Sequence, residues 1–253
     1  MRRVDTVNRW PRRFGLLLTI AGGLTIAWGL VVWQWEDPFT AIYTMYEQHE
    51  MSSSYTQRAR EFTLPPIRIV AKRQPEASAA LTSAARSQLV ASEQHAILRE
   101  AEKYRLDSHA GQPLGRIIVP RLGLNMIFVD GTDDASLQRG PGRDLQTYMP
   151  GENRLVYIAG HRTTFLAPFS HIDALRAGDS ITLELPYATF VYRVTNHIIV
   201  PADDIGVLKS GDSELLALQA CHPRFFATHR YIVYARPVKI VPTLKLGVPY
   251  NPS

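Results

Sequence analysis

From Phe14 to Trp35 the sequence carries no charged residue. About 20 helical residues, each rising roughly 1.5 Å, span a hydrocarbon core of about 30 Å, so this run is long enough to cross a bilayer. Trp28, Trp33 and Trp35 gather toward its far end and Trp10 precedes its near end, the placement of interfacial aromatics. Arg2, Arg3, Arg9, Arg12 and Arg13 precede the run against one acid, Asp5. The positive-inside rule then puts the N-terminus in the cytoplasm and the rest of the chain outside. A cleaved signal peptide would have a shorter apolar run and small residues at its end, where this chain has Trp and Gln. A buried helix of a soluble protein leaves the arginines unexplained. The expectation is a cytoplasmic basic tail over 1–13 and an uncleaved single-pass signal anchor over 14–35.

That tail also explains the charge balance. The formal net charge is +5, and the first 13 residues supply +4 of it. The remainder is nearly neutral, which gives no case for nucleic-acid binding. Cys221 is the single cysteine, so no intramolecular disulfide can form. In an exported chain, a lone thiol is either buried and inert or kept for chemistry.

Residues 36–110 read as an extracytoplasmic stalk, partly helical. Thr40 to Arg60 mixes Ile42, Tyr43, Met45, Tyr46 and Met51 with polar residues and allows a helix near the membrane. Leu64-Pro-Pro-Ile breaks any helix. Residues 76–105 lack Gly and Pro and predict a helix whose thin apolar stripe suits a spacer.

The composition changes near Gly111. Short β-rich runs follow, separated by Gly, Pro, Asp and Asn: Gly115–Val119, Leu124–Val129, Leu155–Ala159, Ser180–Leu185, Thr189–Val200, Glu214–Cys221 and Arg230–Val241. The last is long and Pro237 can split it or leave it whole, giving seven or eight strands of a sandwich or barrel in a domain over 111–253. One helix is expected among them, capped by Thr163 or Thr164 and ending near Arg176 before Gly178.

Cys221 ends one apolar run and Arg230 begins the next. A thiol needs a partner that raises its thiolate fraction or takes its proton. Of eight histidines, His49, His95 and His109 fall in the stalk, His171 in the expected helix and His197 in a strand. His222 and His229 flank the cysteine turn and read, with Arg224, as turn residues. His161 leaves the end of Leu155–Ala159 as Cys221 leaves its own strand, and two strand ends can meet at one mouth of a barrel.

In this order the motifs resemble the sortase family, cysteine transpeptidases that attach proteins to Gram-positive cell walls. Gly115-Arg-Ile-Ile-Val-Pro-Arg-Leu-Gly-Leu is similar to the family's opening strand pair, and Asp130-Gly-Thr-Asp and Gly140-Pro-Gly to its next turn. Tyr157-Ile-Ala-Gly-His-Arg-Thr-Thr resembles the histidine signature, and Leu175-Arg-Ala-Gly-Asp and Cys221-His-Pro with Arg230 complete the series. The Cys-His-Pro-Arg-Phe form and the anchor are most similar to class E of actinobacteria. The resemblance implies a mainly β fold, a closed eight-stranded β-barrel with a short helix or two. It implies three site residues: Cys221 as nucleophile on the Thr–Gly bond of a Leu-Ala-x-Thr-Gly-like sorting signal, His161 as proton carrier, and Arg230 as the cation at the substrate oxyanion. Expected partners are sorting-signal-bearing secreted proteins and an acceptor amine from a peptidoglycan precursor or a pilin, with hydrolysis as the leak reaction.

Two departures stand out. The family has Thr-Leu-x-Thr before the cysteine, where this chain has Ala217-Leu-Gln-Ala220; it often has Gly-Pro-Gly-His-Tyr, where this chain has Gly140-Pro-Gly-Arg-Asp144. The missing hydroxyls motivate one alternative, a membrane-tethered binding module of sortase type with impaired catalysis. A zinc site from His161, Cys221, His222 and His229 is a second, without the usual ligand spacing. No phosphate loop or calcium-loop pattern occurs, so no cofactor and no resident metal is expected.

Overall fold

A computed structural model of the chain describes residues 10–35, 38–61 and 83–243. The expected tail 1–9, the Leu64-Pro-Pro-Ile break and the start of the helix expected over 76–105 lie outside the described residues. Helix α1, Trp10–Trp35, is exposed throughout Arg13–Val31 and is long and apolar enough to cross a membrane. Thr19 and Thr25 within it donate their hydroxyls to the carbonyls of Gly15 and Ala21, each at 2.9 Å, so these polar groups are paired inside the helix.

The β-rich half forms a closed barrel. Its strands are β1 (Pro113–Val119), β2 (Leu124–Asp130), β3 (Gly142–Arg143), β4 (Leu155–Ala159), β5 (Ser180–Glu184), β6 (Ala188–Pro201), β7 (Leu215–His222) and β8 (His229–Pro242). They close in the order β1-β2-β3-β4-β7-β8-β6-β5, the expected eight-stranded barrel. The pairs β2–β3 and β4–β7 are parallel, and the other pairs are antiparallel.

Alternation along the strands separates two apolar layers. Val156 and Ile158 of β4, Leu216, Leu218 and Ala220 of β7, and Tyr231, Val233 and Ala235 of β8 belong to the core that fills the barrel. Their neighbours Leu155, Tyr157, Ala217 and Ile232 point the other way and form a second cluster on the outer wall, packed against Val207 and Leu208 of the Ile205–Leu208 turn. Both faces of β4 are therefore buried, which is why Leu155–Ala159 reads as an unbroken apolar run.

The β2–β3 seam is short, with the pairs Val129↔Gly142 and Asp130↔Arg143. A Cβ on Gly142 would lie 2.0 Å from the Gly131 carbonyl oxygen, so the close backbone approach requires glycine. Arg143 Nη2 sits 2.6 Å from Asp130 Oδ1, and both side chains are 1% exposed. Ser108 donates to the other Asp130 oxygen at 2.7 Å, and Arg143 Nη1 donates to the carbonyls of Asp144 and Thr147. The arginine that departs from the family's Gly-Pro-Gly-His pattern is thus the buried partner of the Asp130 turn.

Helices brace the barrel from outside. Helix α2, Pro38–Glu61, covers the part of the β2 edge that β3 does not reach. Gln48 imitates a neighbouring strand: its Oε1 accepts from Ile127 N at 2.7 Å, and its Nε2 donates to Ile127 O at 2.9 Å and Arg139 O at 2.8 Å. Helix α3, Ser83–Asp107, buries Ile97, Ala101 and Tyr104 against the main core. A short helix, α4 (Asp134–Arg139), is capped by Asp133, which accepts from Ser136 N at 3.1 Å.

One local expectation changes and a second is decided. The helix expected from Thr163 or Thr164 to Arg176 is instead an irregular loop followed by a 3₁₀ turn, Ile172–Ala174. Pro168 has no N–H to give, and Phe169 N donates back to the His161 carbonyl at 3.1 Å, which closes a loop in place of a helical ladder. Pro237 does not split the last strand; β8 passes it with a bulge, since Tyr192 pairs with Pro237 and Val191 with Lys239.

Arg143→Ala leaves Asp130 buried without its cation and is expected to cost about 3–5 kcal/mol of stability, read by denaturant unfolding. Gln48→Leu strands three backbone groups and is expected to cost about 1–3 kcal/mol by the same measurement.

Candidate functional site

The register of the barrel wall brings the three singled-out residues together. β4 and β7 run in parallel with Ala159 opposite Gln219, and Gly160 N extends the pairing to Gln219 O at 3.0 Å. Two positions beyond that last register pair stand His161 and Cys221, side by side at the ends of adjacent strands. On the other flank of β7, Cys221 pairs directly with Arg230 of β8. Neighbouring strands lie about 4.8 Å apart, so one strand spacing separates the backbone of Cys221 from that of Arg230.

The face is set by parity. Cys221 follows Ala217 and Gln219 at steps of two, and Arg230 precedes Ile232; Ala217 and Ile232 belong to the outer cluster. The thiol and the guanidinium therefore stand on the outer wall, at the end of the barrel where β4 and β7 finish and β8 begins, not inside its mouth. Cys221 and Arg230 are half-buried.

Arg230 is oriented by its own turn. One Nη donates to the carbonyls of Ala227 at 2.9 Å and His229 at 3.1 Å. A guanidinium has five N–H donors in a rigid fork, so fixing one arm aims the rest. Its charge acts on Tyr157 in the outer cluster of the same wall.

His161 lies under the loop that follows it. The Phe165 ring is 5.1 Å from the imidazole, tilted by 36°. Nε2 of His161 is buried and has no hydrogen-bond partner among the described residues. Burial holds the imidazole pKa below its usual value, and the charge of Asp134 in α4 opposes that shift in part.

Arg162 is a residue the sequence mentions only as a neighbour of His161. Its side chain is 4% exposed and pairs with Asp173 at 2.9 Å. It donates to the Cys221 carbonyl at 3.3 Å and meets His222 Nδ1 at 3.0 Å, with its guanidinium carbon 5.9 Å from the Tyr231 ring centre. The residue after His161 thus clasps Cys221 and the residue after it. The only hint in the sequence is its place next to the histidine.

His222 is held by that clasp and by the Tyr231 ring at 5.8 Å, while His229 is an exposed strand residue paired with Thr228 at 2.9 Å. Among the described residues no three of His, Cys, Asp and Glu gather as metal ligands. Ala217 and Ala220 are each fully buried, one in the outer cluster and one in the barrel core. A hydroxyl at either place would need a buried partner.

A sortase-domain family model matches residues 117–238. Sortase D of Bacillus subtilis (strain 168) is 29% identical over 187 residues, covering 72% of this chain and 86% of that protein. Sortase SrtE1 of Streptomyces coelicolor is 28% identical over 151 residues, 53% of this chain and 43% of that one. These two carry different class names, so the likeness to class E is not singled out. Among solved structures, the SrtF sortase of Corynebacterium diphtheriae superposes with a TM-score of 0.53 at 24% identity, over 57% of this chain and 94% of that one. Sortase C of Clostridium perfringens SM101 gives 0.52 at 22% identity, over 74% and 99%. Both share the fold. The matched domain and the relatives that extend beyond it agree: residues 117–238 are a sortase domain, and the chain is similar to the cysteine transpeptidases of that family.

Proposed function

We propose that this chain is a membrane-anchored sortase in which Cys221, His161 and Arg230 perform the transfer. The observation that carries the reading is the pairing of Cys221 with Arg230 across β7 and β8, with His161 two residues beyond the last β4–β7 pair on the other flank of β7. The Cys221 thiolate attacks the threonine carbonyl of a Leu-Ala-x-Thr-Gly-like signal. Arg230 donates to the oxyanion as it develops, work for which a fixed cation is suited because it needs no reorganisation. His161 gives a proton to the departing glycine amine, which leaves a thioester on Cys221. An incoming amine, from a peptidoglycan precursor or a pilin, attacks that thioester and loses its proton to His161, and the thiolate departs. The unpartnered Nε2 supports this role, since a nitrogen committed to a structural hydrogen bond could not exchange protons. Water in place of the amine gives hydrolysis.

The anchor reading belongs to the same proposal. Helix α1 crosses the membrane with the arginine-rich tail in the cytoplasm, which puts the barrel on the outer side, where secreted substrates and lipid-linked acceptors are themselves held at the surface. Tethering raises the effective concentration of enzyme toward both.

Purified full-length protein in lipid nanodiscs, incubated with a quenched Leu-Ala-x-Thr-Gly peptide and an amine acceptor, should form the transfer product. Cys221→Ala should lower turnover by roughly 10³-fold or more, and Arg230→Met by about 10²–10³-fold in kcat. A wild-type protein inert toward several sorting peptides, with and without acceptor, would overturn the reading.

The depressed pKa of His161 also predicts a pH effect on stability. Between its folded value and the ordinary value of about 6.5, the unfolded chain binds a proton that the folded one does not. Stability should therefore fall as pH drops through about 6.5. His161→Gln should flatten that segment of the curve when unfolding is measured at steps from pH 7.5 to 5.

A further inference from the structure

Helix α2 touches the barrel through one face. Thr40, Thr44, Gln48, Met51, Tyr55 and Arg58 recur at steps of three and four, which lines them up along the helix. The helix runs down the barrel wall from the active-site end to the opposite end. Thr44 donates to Gln138 O at 2.8 Å, Gln48 holds the β2 edge, Tyr55 donates to Glu184 O at 3.0 Å, and Arg58 donates to Pro113 O at 3.3 Å.

Thr40 reaches something else. Its Oγ1 accepts the backbone N–H of Phe165 at 3.0 Å. Phe165 is the residue whose ring lies 5.1 Å from the His161 imidazole. The backbone there is in an unfavourable region: Phe165, Leu166 and Ala167 have φ of 54°, 59° and 37°, and none is glycine. Such a run persists only where its surroundings hold it. From within, Ala167 N donates to Thr164 O at 2.8 Å and Phe169 N to His161 O at 3.1 Å, and Leu166 packs on the core. From outside, α2 supplies the Thr40 hydroxyl. Two charged groups bear on this arrangement: Asp134 of α4, which acts on His161, and Arg162, which follows His161 in the chain and is paired with Asp173.

We propose that Thr40 is a positioning residue for His161: through the Phe165 amide it fixes the loop that orients the imidazole and shields it from water. The helix that follows the anchor is thereby part of the catalytic assembly as well as a spacer. The chain from Trp35 to Thr40 can extend at most about 18 Å, so the same contact keeps the active-site end of the barrel close to where the anchor ends. The proposal rests on the transfer chemistry assigned to His161 above.

The test compares full-length wild type, Thr40→Val and Thr40→Ser in nanodiscs, at a temperature well below their unfolding midpoints. Three quantities are read: kcat and KM on the sorting peptide, the thermal midpoint, and the titration of the His161 ring by NMR of ¹³C-labelled histidine, assigned with His161→Gln. Thr40→Val should lose roughly ten- to a hundredfold in kcat, the scale of a small misplacement of a reacting group, with KM within about twofold. Its His161 midpoint should rise toward the ordinary histidine value as the ring gains water. Thr40→Ser keeps the hydroxyl and should restore both. Wild-type kcat and an unmoved midpoint in Thr40→Val, or equal impairment in Val and Ser, overturn the proposal. If Thr40→Val does not fold, Thr40→Ala takes its place in the same comparison. A wild type that turns over no peptide defeats the functional reading instead, and the titration arm then decides the role of Thr40 by itself.

Discussion

The parallel pairing of β4 with β7 is the constraint on which the rest depends. Its register, from Leu155↔Leu215 to Ala159↔Gln219, is what carries two residues distant in sequence to the ends of neighbouring strands. Parallel strands cannot be joined by a hairpin and need a long crossover. Here the crossover contains β5 and β6, which themselves close the barrel. The register is pinned on both faces. Val156, Ile158, Leu216 and Leu218 lock it inside, and Leu155, Tyr157 and Ala217 lock it outside. A slip of one residue would exchange the two layers and turn the thiol inward. Arg162 adds a polar clasp where the apolar layers end, since it joins the residue after His161 to the carbonyl of Cys221 and to His222.

A second theme is the use of polar side chains where a β-barrel has a weak edge. The seam between β2 and β3 is short, and it is closed by the buried Arg143–Asp130 pair, which is satisfied further by Ser108 and by carbonyls. A buried pair of this kind contributes little net stability relative to apolar packing, but its loss on one side is costly, so it fixes geometry more than it adds energy. The open part of the β2 edge is capped by Gln48, whose amide has the donor and acceptor of a peptide group in the right order to stand in for a strand.

The legible and illegible parts of the molecule follow this division. Strands with two buried faces or strict alternation, such as Leu155–Ala159 and Glu214–Cys221, are visible as apolar patterns. The two-residue β3 has no pattern to show. The docking of α2 is invisible to a search for an apolar stripe, because its contact face is Thr, Thr, Gln, Met, Tyr and Arg, and most of its contacts are hydrogen bonds to backbone. The loop after His161 misleads for a related reason: Thr163 and Thr164 look like helix caps, but Pro168 and the Phe169–His161 hydrogen bond favour a closed loop. Arg162 is silent in the sequence because its partners are a distant carbonyl, a distant histidine and Asp173.

The sequence alone determined the kind of chain this is: an uncharged run long enough to cross a bilayer, a β-rich half with its strand breaks, a single thiol, and an ordered set of motifs that resembles the sortases. These are local properties, readable from composition and period without knowing what each residue touches. The tertiary structure alone decided that Cys221 and Arg230 stand on the outer wall, beside the strand end that leads to His161, because the face of a strand is set by which side packs against the core. It alone decided that Arg143 is buried with Asp130, and that a hydroxyl from helix α2 reaches the loop over His161. Polar contacts between distant segments leave no periodic trace in either segment, so they exist only once the barrel has closed.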